Sequence, residues 1–215
     1  MLLIAILPLY LAPTLIIPIH GITQLASNAS RAVFSLKDVQ WSLLPPFLIG
    51  SLAGVVLFGL LLVNIPMDTI PVAIGAYIIL NLWNQRFSNA ISKYENYTVI
   101  GALQTGLGLI VGATGPLATS VLTKQLNGKD EIIATASLFM SISHLSKIVV
   151  FGLIGFSFFE HLPLLTGMVA GSIIGSYLGT RLRGFIGDKR MIFIIKVLLS
   201  VLAIRMIAVA IPSFI

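Results

Sequence analysis

A chain of 215 residues that is 57% hydrophobic and 9% charged, with a mean hydropathy of +1.05, has lipid as the solvent around most of its length. Its apolar runs do not alternate apolar and polar residues, which excludes a β-barrel and leaves an all-α integral membrane protein. The charge of +6 does not point to nucleic acid, because the basic residues mostly lie between the apolar runs, facing headgroups and cytoplasm. The absence of cysteine excludes disulfides, thiolate nucleophiles and Cys-bound metal.

A bilayer core about 30 Å thick takes about 20 apolar residues per helix, so the chain has room for seven to eight transmembrane helices. The apolar runs place them at roughly 1–19, 21–36, 42–64, 68–85, 97–123, 131–158, 161–183 and 191–212. MLLIAILPLYLAPTLIIPI lacks a basic leading region and a small-residue cleavage site, so it reads as a membrane segment and not a signal peptide. The second run is too short to span alone: it is tilted, partly re-entrant, or continuous with the first, and Pro13 and Pro18 are expected to interrupt the helix there. The longest polar interval, NQRFSNAISKYEN at 84–96, separates a first membrane repeat (1–85) from a connecting loop (86–96) and a second repeat (97–215).

The two halves resemble each other. SNASRAVF at 27–34 aligns with SHLSKIVV at 143–150, placing Ser27, Asn28, Ser30 and Arg31 over Ser143, His144, Ser146 and Lys147. GSLAG at 50–54 aligns with GSIIG at 171–175, and each also fits the small-xxx-small pattern of close helix contacts. An internal duplication of this kind is the trace of many secondary transporters, whose sites lie where the repeats meet. Lys124, Lys129, Arg181, Arg183, Lys189 and Arg190 fall on one side of the alternating loops and Lys37, Arg86 and Lys93 on the other, which puts the first set in the cytoplasm.

Within these apolar runs the polar residues are arranged. At about 100° per residue, His20, Gln24, Ser27 and Arg31 fall within a sector of about 60°, with Asn28 beside it. In the second half Ser137, Ser141 and His144 form a similar stripe, with Thr135 near its start and Lys147 one turn on. A charge at membrane depth costs at least about 2.5–3.5 kcal/mol, so Arg31 and Lys147 are candidates for holding an anion, with Gln24, Ser27, Asn28, Ser143 and His144 orienting it. Snorkelling to the interface for Arg31, and a carbonyl or headgroup partner for Lys147, stand beside that reading. His20 and His144 are either proton carriers or structural histidines. Gly115 followed by Pro116, inside GALQTGLGLIVGATGPL at 101–117, breaks a helix where the free backbone groups can line a cavity.

Taken together, IPIHGITQLASNASR, DVQW leading into LLPPFLIGSLAG, GLGLIVGATGPL and IIATASLFMSISHLSK resemble the TauE/SafE sulfite exporter family over nearly the whole chain. That resemblance implies a duplicated helical bundle in the cell inner membrane, moving small anions such as sulfite or an organosulfonate with coupling to protons or to the membrane potential. Family members usually begin with a Gly-rich segment before the position matching Ile4, and this sequence starts at Met1 without it. By the repeat, that segment would be the partner of GLGLIVGATGP, and a chain lacking it would lack half of the inferred site.

The leading reading is a secondary carrier of a small anion, with a substrate site drawn from His20, Gln24, Ser27, Asn28, Arg31, Gly115, Pro116, Ser143, His144 and Lys147. No cofactor, metal, nucleic acid or catalytic residue is expected; the lipid bilayer, coupling protons and a further copy of the chain are the other expected partners. A channel or a non-transporting assembly protein is the alternative. Behind these stands an intramembrane serine hydrolase, read from GFSF at 155–158 with Ser157 and His161.

Overall fold

A computed structural model describes residues 2–66, 69–92, 96–114, 116–182, 197–205 and 207–208, and among these there is helix and no strand. The elements are α1 (Leu2–Ile6), a 3-10 turn at Leu7–Leu9, α2 (Pro13–Phe34), α3 (Leu44–Leu62), α4 (Ile70–Trp83), α5 (Gln85–Ser92), α6 (Tyr97–Val111), α7 (Pro116–Gln125), α8 (Lys129–Leu153) and α9 (Leu162–Leu182). Residues 197–205 are also helical. Trp41–Leu62, Lys129–Leu153 and Phe159–Leu178 are each long and apolar enough to cross a membrane.

Two features follow an expected course, the continuity of the second run and the break before Pro116, and two differ, the prolines of α2 and the polar interval 84–96. The second apolar run is continuous with the end of the first, giving α2 a length of 22 residues. Pro13 does not interrupt it but occupies its first turn, where a missing N–H costs nothing, and Pro18 is accommodated inside the helix. The run 97–123 divides into α6 and α7 ahead of Pro116, as the Gly115–Pro116 pair predicts, and the polar interval 84–96 carries α5 where loop was expected. Lys93, Arg183, Lys189 and Arg190 lie outside the described residues, as does half of the last expected span.

Two helix pairs position everything else. Gly21 of α2 lies against Lys147 of α8, while Gln40, just beyond α2, donates its N–H to Thr135 Oγ1 at 3.0 Å, so α2 and α8 run antiparallel. α3 and α6 run parallel: Gly50 faces the Thr98 backbone, Gly54 the Ala102 backbone and Gly106 the Phe58 ring. A Cβ on Gly50 or Gly54 would run into the facing carbonyl oxygen, so only glycine lets the two backbones approach this closely. On its other sides α3 exposes Ile49, Leu52, Val56 and Leu60, small residues facing the protein and large ones facing lipid. The GSIIG motif does not repeat this contact, since among the described residues Gly171 and Gly175 meet nothing within 4 Å.

The apolar core has two parts. Ile4, Ile16, Ile17, Leu62, Ile74, Ile78 and Leu109 form one; Phe47, Tyr97, Ile100, Val121 and Phe139 form the other, with Phe47 and Phe139 stacked at 3.9 Å. The buried polar groups of α2, α6 and α8 lie outside both clusters.

Candidate substrate site

Lys147, on α8, is only 1% exposed. Its Nζ donates to the Gly112 carbonyl oxygen and lies 3.2 Å from His144 Nδ1. Gly112 ends α6 with φ of +74°, a left-handed conformation that glycine adopts freely, and its own N–H donates back to Gly108 O at 3.1 Å. This turn aims the Gly112 carbonyl, at the negative end of the α6 dipole, at the ammonium group. Gly108 makes room for the lysine: a Cβ there would lie 3.1 Å from Lys147 Cε.

His20 of α2 completes the group. Its ring stands edge-on to that of His144 with centroids 5.5 Å apart, and it is as deeply buried as Lys147. Among the described residues neither ring nitrogen of His20 has a hydrogen-bond partner. Two imidazoles and an ammonium thus meet at a helix break, and among the described residues no carboxylate pairs with Lys147. In this setting Gly112→Ala is expected to lower thermal stability by about 1–2 kcal/mol for the left-handed backbone alone. The added Cβ would also lie 2.7 Å from Ile4 Cδ1, so thermal unfolding of the variant beside the wild type should show at least that loss.

Behind the break lies a buried polar network that the stripe pattern does not reveal. Gln104 bridges the two sides: its Nε2 donates to Ser143 Oγ at 3.2 Å and its Oε1 accepts from Ala118 N at 3.1 Å, capping the start of α7. Thr114 Oγ1 donates to Gln104 O at 2.6 Å, and Thr105 Oγ1 joins Ser51 Oγ at 2.9 Å to Ser143 Oγ at 3.0 Å. These bonds fix both ends of the break. Gln104 thus takes the Ala118 amide at the start of α7, while the Gly112 carbonyl at the end of α6 faces the cation.

Arg31 stands apart. It is exposed, and it donates to its own helix: Nε to Ser27 O at 3.2 Å, Nη2 to Ser27 Oγ at 3.3 Å and to Asn28 Oδ1 at 3.0 Å. Ser27 Oγ also meets Ser176 Oγ of α9 at 2.8 Å, and Asn28 Nδ2 donates to the carbonyl of the half-buried Gln24 at 2.8 Å. Eleven residues of helix separate Arg31 from His20, about 16 Å along the axis. The sequence-selected residues therefore form two groups, His20, His144 and Lys147 at the break and Ser27, Asn28 and Arg31 farther along α2, with Ser143 in the network behind. Pro116 opens α7, and Gly115 lies outside the described residues.

The remaining sequence candidates do not assemble a catalytic pair. His161 packs its ring against Phe156 at 5.5 Å, and among the described residues no hydrogen bond joins it to Ser157. No group of three His, Cys, Asp or Glu side chains that could hold a metal occurs among the described residues.

Apolar helices long enough to cross a bilayer, around a buried cation at a helix break, define a multi-pass membrane protein of the transporter class. Family comparison agrees: the family model described as sulfite exporter TauE/SafE matches residues 1–206, and the chain belongs to that family of membrane transporters. Searches of curated proteins and of solved structures find no match.

Proposed function

We propose that the chain is a secondary carrier of a small oxyanion, sulfite or an organosulfonate, in the cell inner membrane, with Lys147 as the charge that holds it. The observation that carries this reading is the environment of Lys147: a fully buried cation with a carbonyl and an imidazole as partners, no carboxylate among the described residues, and one ammonium N–H left over. An anion would supply the missing countercharge. Seven to eight spans in two inverted halves (1–85 and 97–215) would enclose the site, and the antiparallel crossing of α2 and α8, the two aligned helices, is the arrangement an inverted repeat requires. Ser27, Asn28 and Arg31 would then serve as a second station on the path of the anion.

Reconstitution into sealed vesicles tests this against the channel alternative. A carrier gives sulfite flux that saturates with concentration and is selective among anions; linear, voltage-driven conductance would establish a channel, and absence of any flux would favour an assembly protein.

A further inference from the structure

The unpaired ring of His20 says more about the ligand than its charge. In the ammonium form Lys147 has three N–H groups, of which Gly112 O and His144 Nδ1 take two. Because Nδ1 of His144 accepts that bond, the neutral His144 ring carries its hydrogen on Nε2 and presents a donor there. His20, neutral, presents one donor and one acceptor, and both nitrogens are buried without a partner among the described residues. Among the described residues, the groups facing it are His144 and Lys147 from α8, the Gly112 backbone at the end of α6 and the apolar Ile4 of α1. The unused hydrogen-bonding capacity at the break is thus three donors and one acceptor.

We infer that the ligand of this site is a hydroxyl-bearing monoanion, an oxyanion that still carries one exchangeable proton, and that the acceptor nitrogen of His20 recognises its O–H. The inference rests on the anion-carrier reading above and narrows it. An anion with no hydrogen on oxygen satisfies the three donors but turns an oxygen lone pair toward the bare nitrogen of His20, leaving that buried acceptor unsatisfied. Protonating His20 instead would set two cations side by side with no carboxylate among the described residues to face them. A ligand O–H meets the nitrogen without either penalty, and a site built to hydrogen-bond a hydroxyl discriminates strongly against the isostere lacking it.

The test uses isosteric pairs on the detergent-purified full chain at one neutral pH, read by ligand-induced thermal stabilisation: hydrogensulfite against methanesulfinate, and bicarbonate against acetate. Within at least one pair the hydroxyl-bearing anion is expected to bind about tenfold more tightly or better, the methyl isostere having no hydrogen to give. In His20→Leu the two members of that pair should bind within about twofold of each other, and in Lys147→Ala both should be lost. If methanesulfinate or acetate stabilises the wild type as well as its partner and Lys147→Ala abolishes both, the role of His20 is overturned while the anion-carrier reading stands. If none of the four stabilises the wild type, both readings fall. Should His20→Leu not fold, the wild-type comparison within each pair decides alone.

Discussion

Lys147→Ala is expected to weaken binding of the transported anion about 30-fold or more without unfolding the protein, because truncating a buried, hydrogen-bonded charge costs the ligand about 2 kcal/mol or more. The two effects separate because the lysine contributes little to stability. It is a desolvated cation with no carboxylate facing it among the described residues, and removing such a charge relieves a burial cost that its bonds to Gly112 O and His144 only partly offset. Thermal unfolding without ligand should therefore leave the midpoint unchanged or raised, while the anion-induced shift disappears. Arg31→Ala, at an exposed position bonded within its own helix, should change affinity only a few-fold. A Lys147→Ala protein that is grossly destabilised yet still responds to anion would show the lysine to be structural. Equal losses in the two variants would place the main binding charge in the wrong group.

The second large effect is steric. Gly50→Ala should destabilise the bundle by about 3 kcal/mol, the upper part of the usual range for overpacking. The added methyl would collide with the Thr98 carbonyl oxygen, a backbone atom that no rotamer change can move, so α3 and α6 must separate along their shared length. Gly59→Ala is the control on the same helix: nothing lies within 4 Å of the new methyl, and replacing helical glycine by alanine should be neutral or stabilising by up to about 1 kcal/mol. Detergent unfolding of the two variants side by side measures the difference. Similar midpoints would mean that the α3 and α6 contact is looser than the backbone approach at Gly50 requires.

Much of this arrangement is legible in the sequence, and the parts that are not share a physical cause. Long apolar runs identify helices because lipid demands that every backbone group be satisfied within the segment. His20, His144 and Lys147 stand out for the converse reason, as polar groups that lipid would reject. Burial is harder to read. Arg31 and Lys147 occupy matching places in the aligned segments, yet one is exposed and the other buried, because exposure depends on which helices cover that face and not on the register along it. Ser51, Gln104, Thr105 and Thr114 escape notice for another reason: scattered among glycines and leucines, they look like small packing residues until α3, α6 and α8 are brought together. The prolines near the start of α2 mislead because Pro13 sits where a helix tolerates it best.

The composition of α2 has a consequence for how the protein is made. Its 22 residues are long enough to cross the bilayer, yet with His20, Gln24, Asn28 and Arg31 it is too polar to rank with the three strongly apolar helices. Leaving the ribosome alone, such a segment partitions poorly from the translocon into lipid. The surface that shelters His20 is α8, which begins at Lys129 and is synthesised long after α2 has left the ribosome. Stable entry of α2 into the membrane is therefore expected to be a late step that waits for α8: a nascent chain stopped before Lys129 should leave α2 accessible to water-soluble labels.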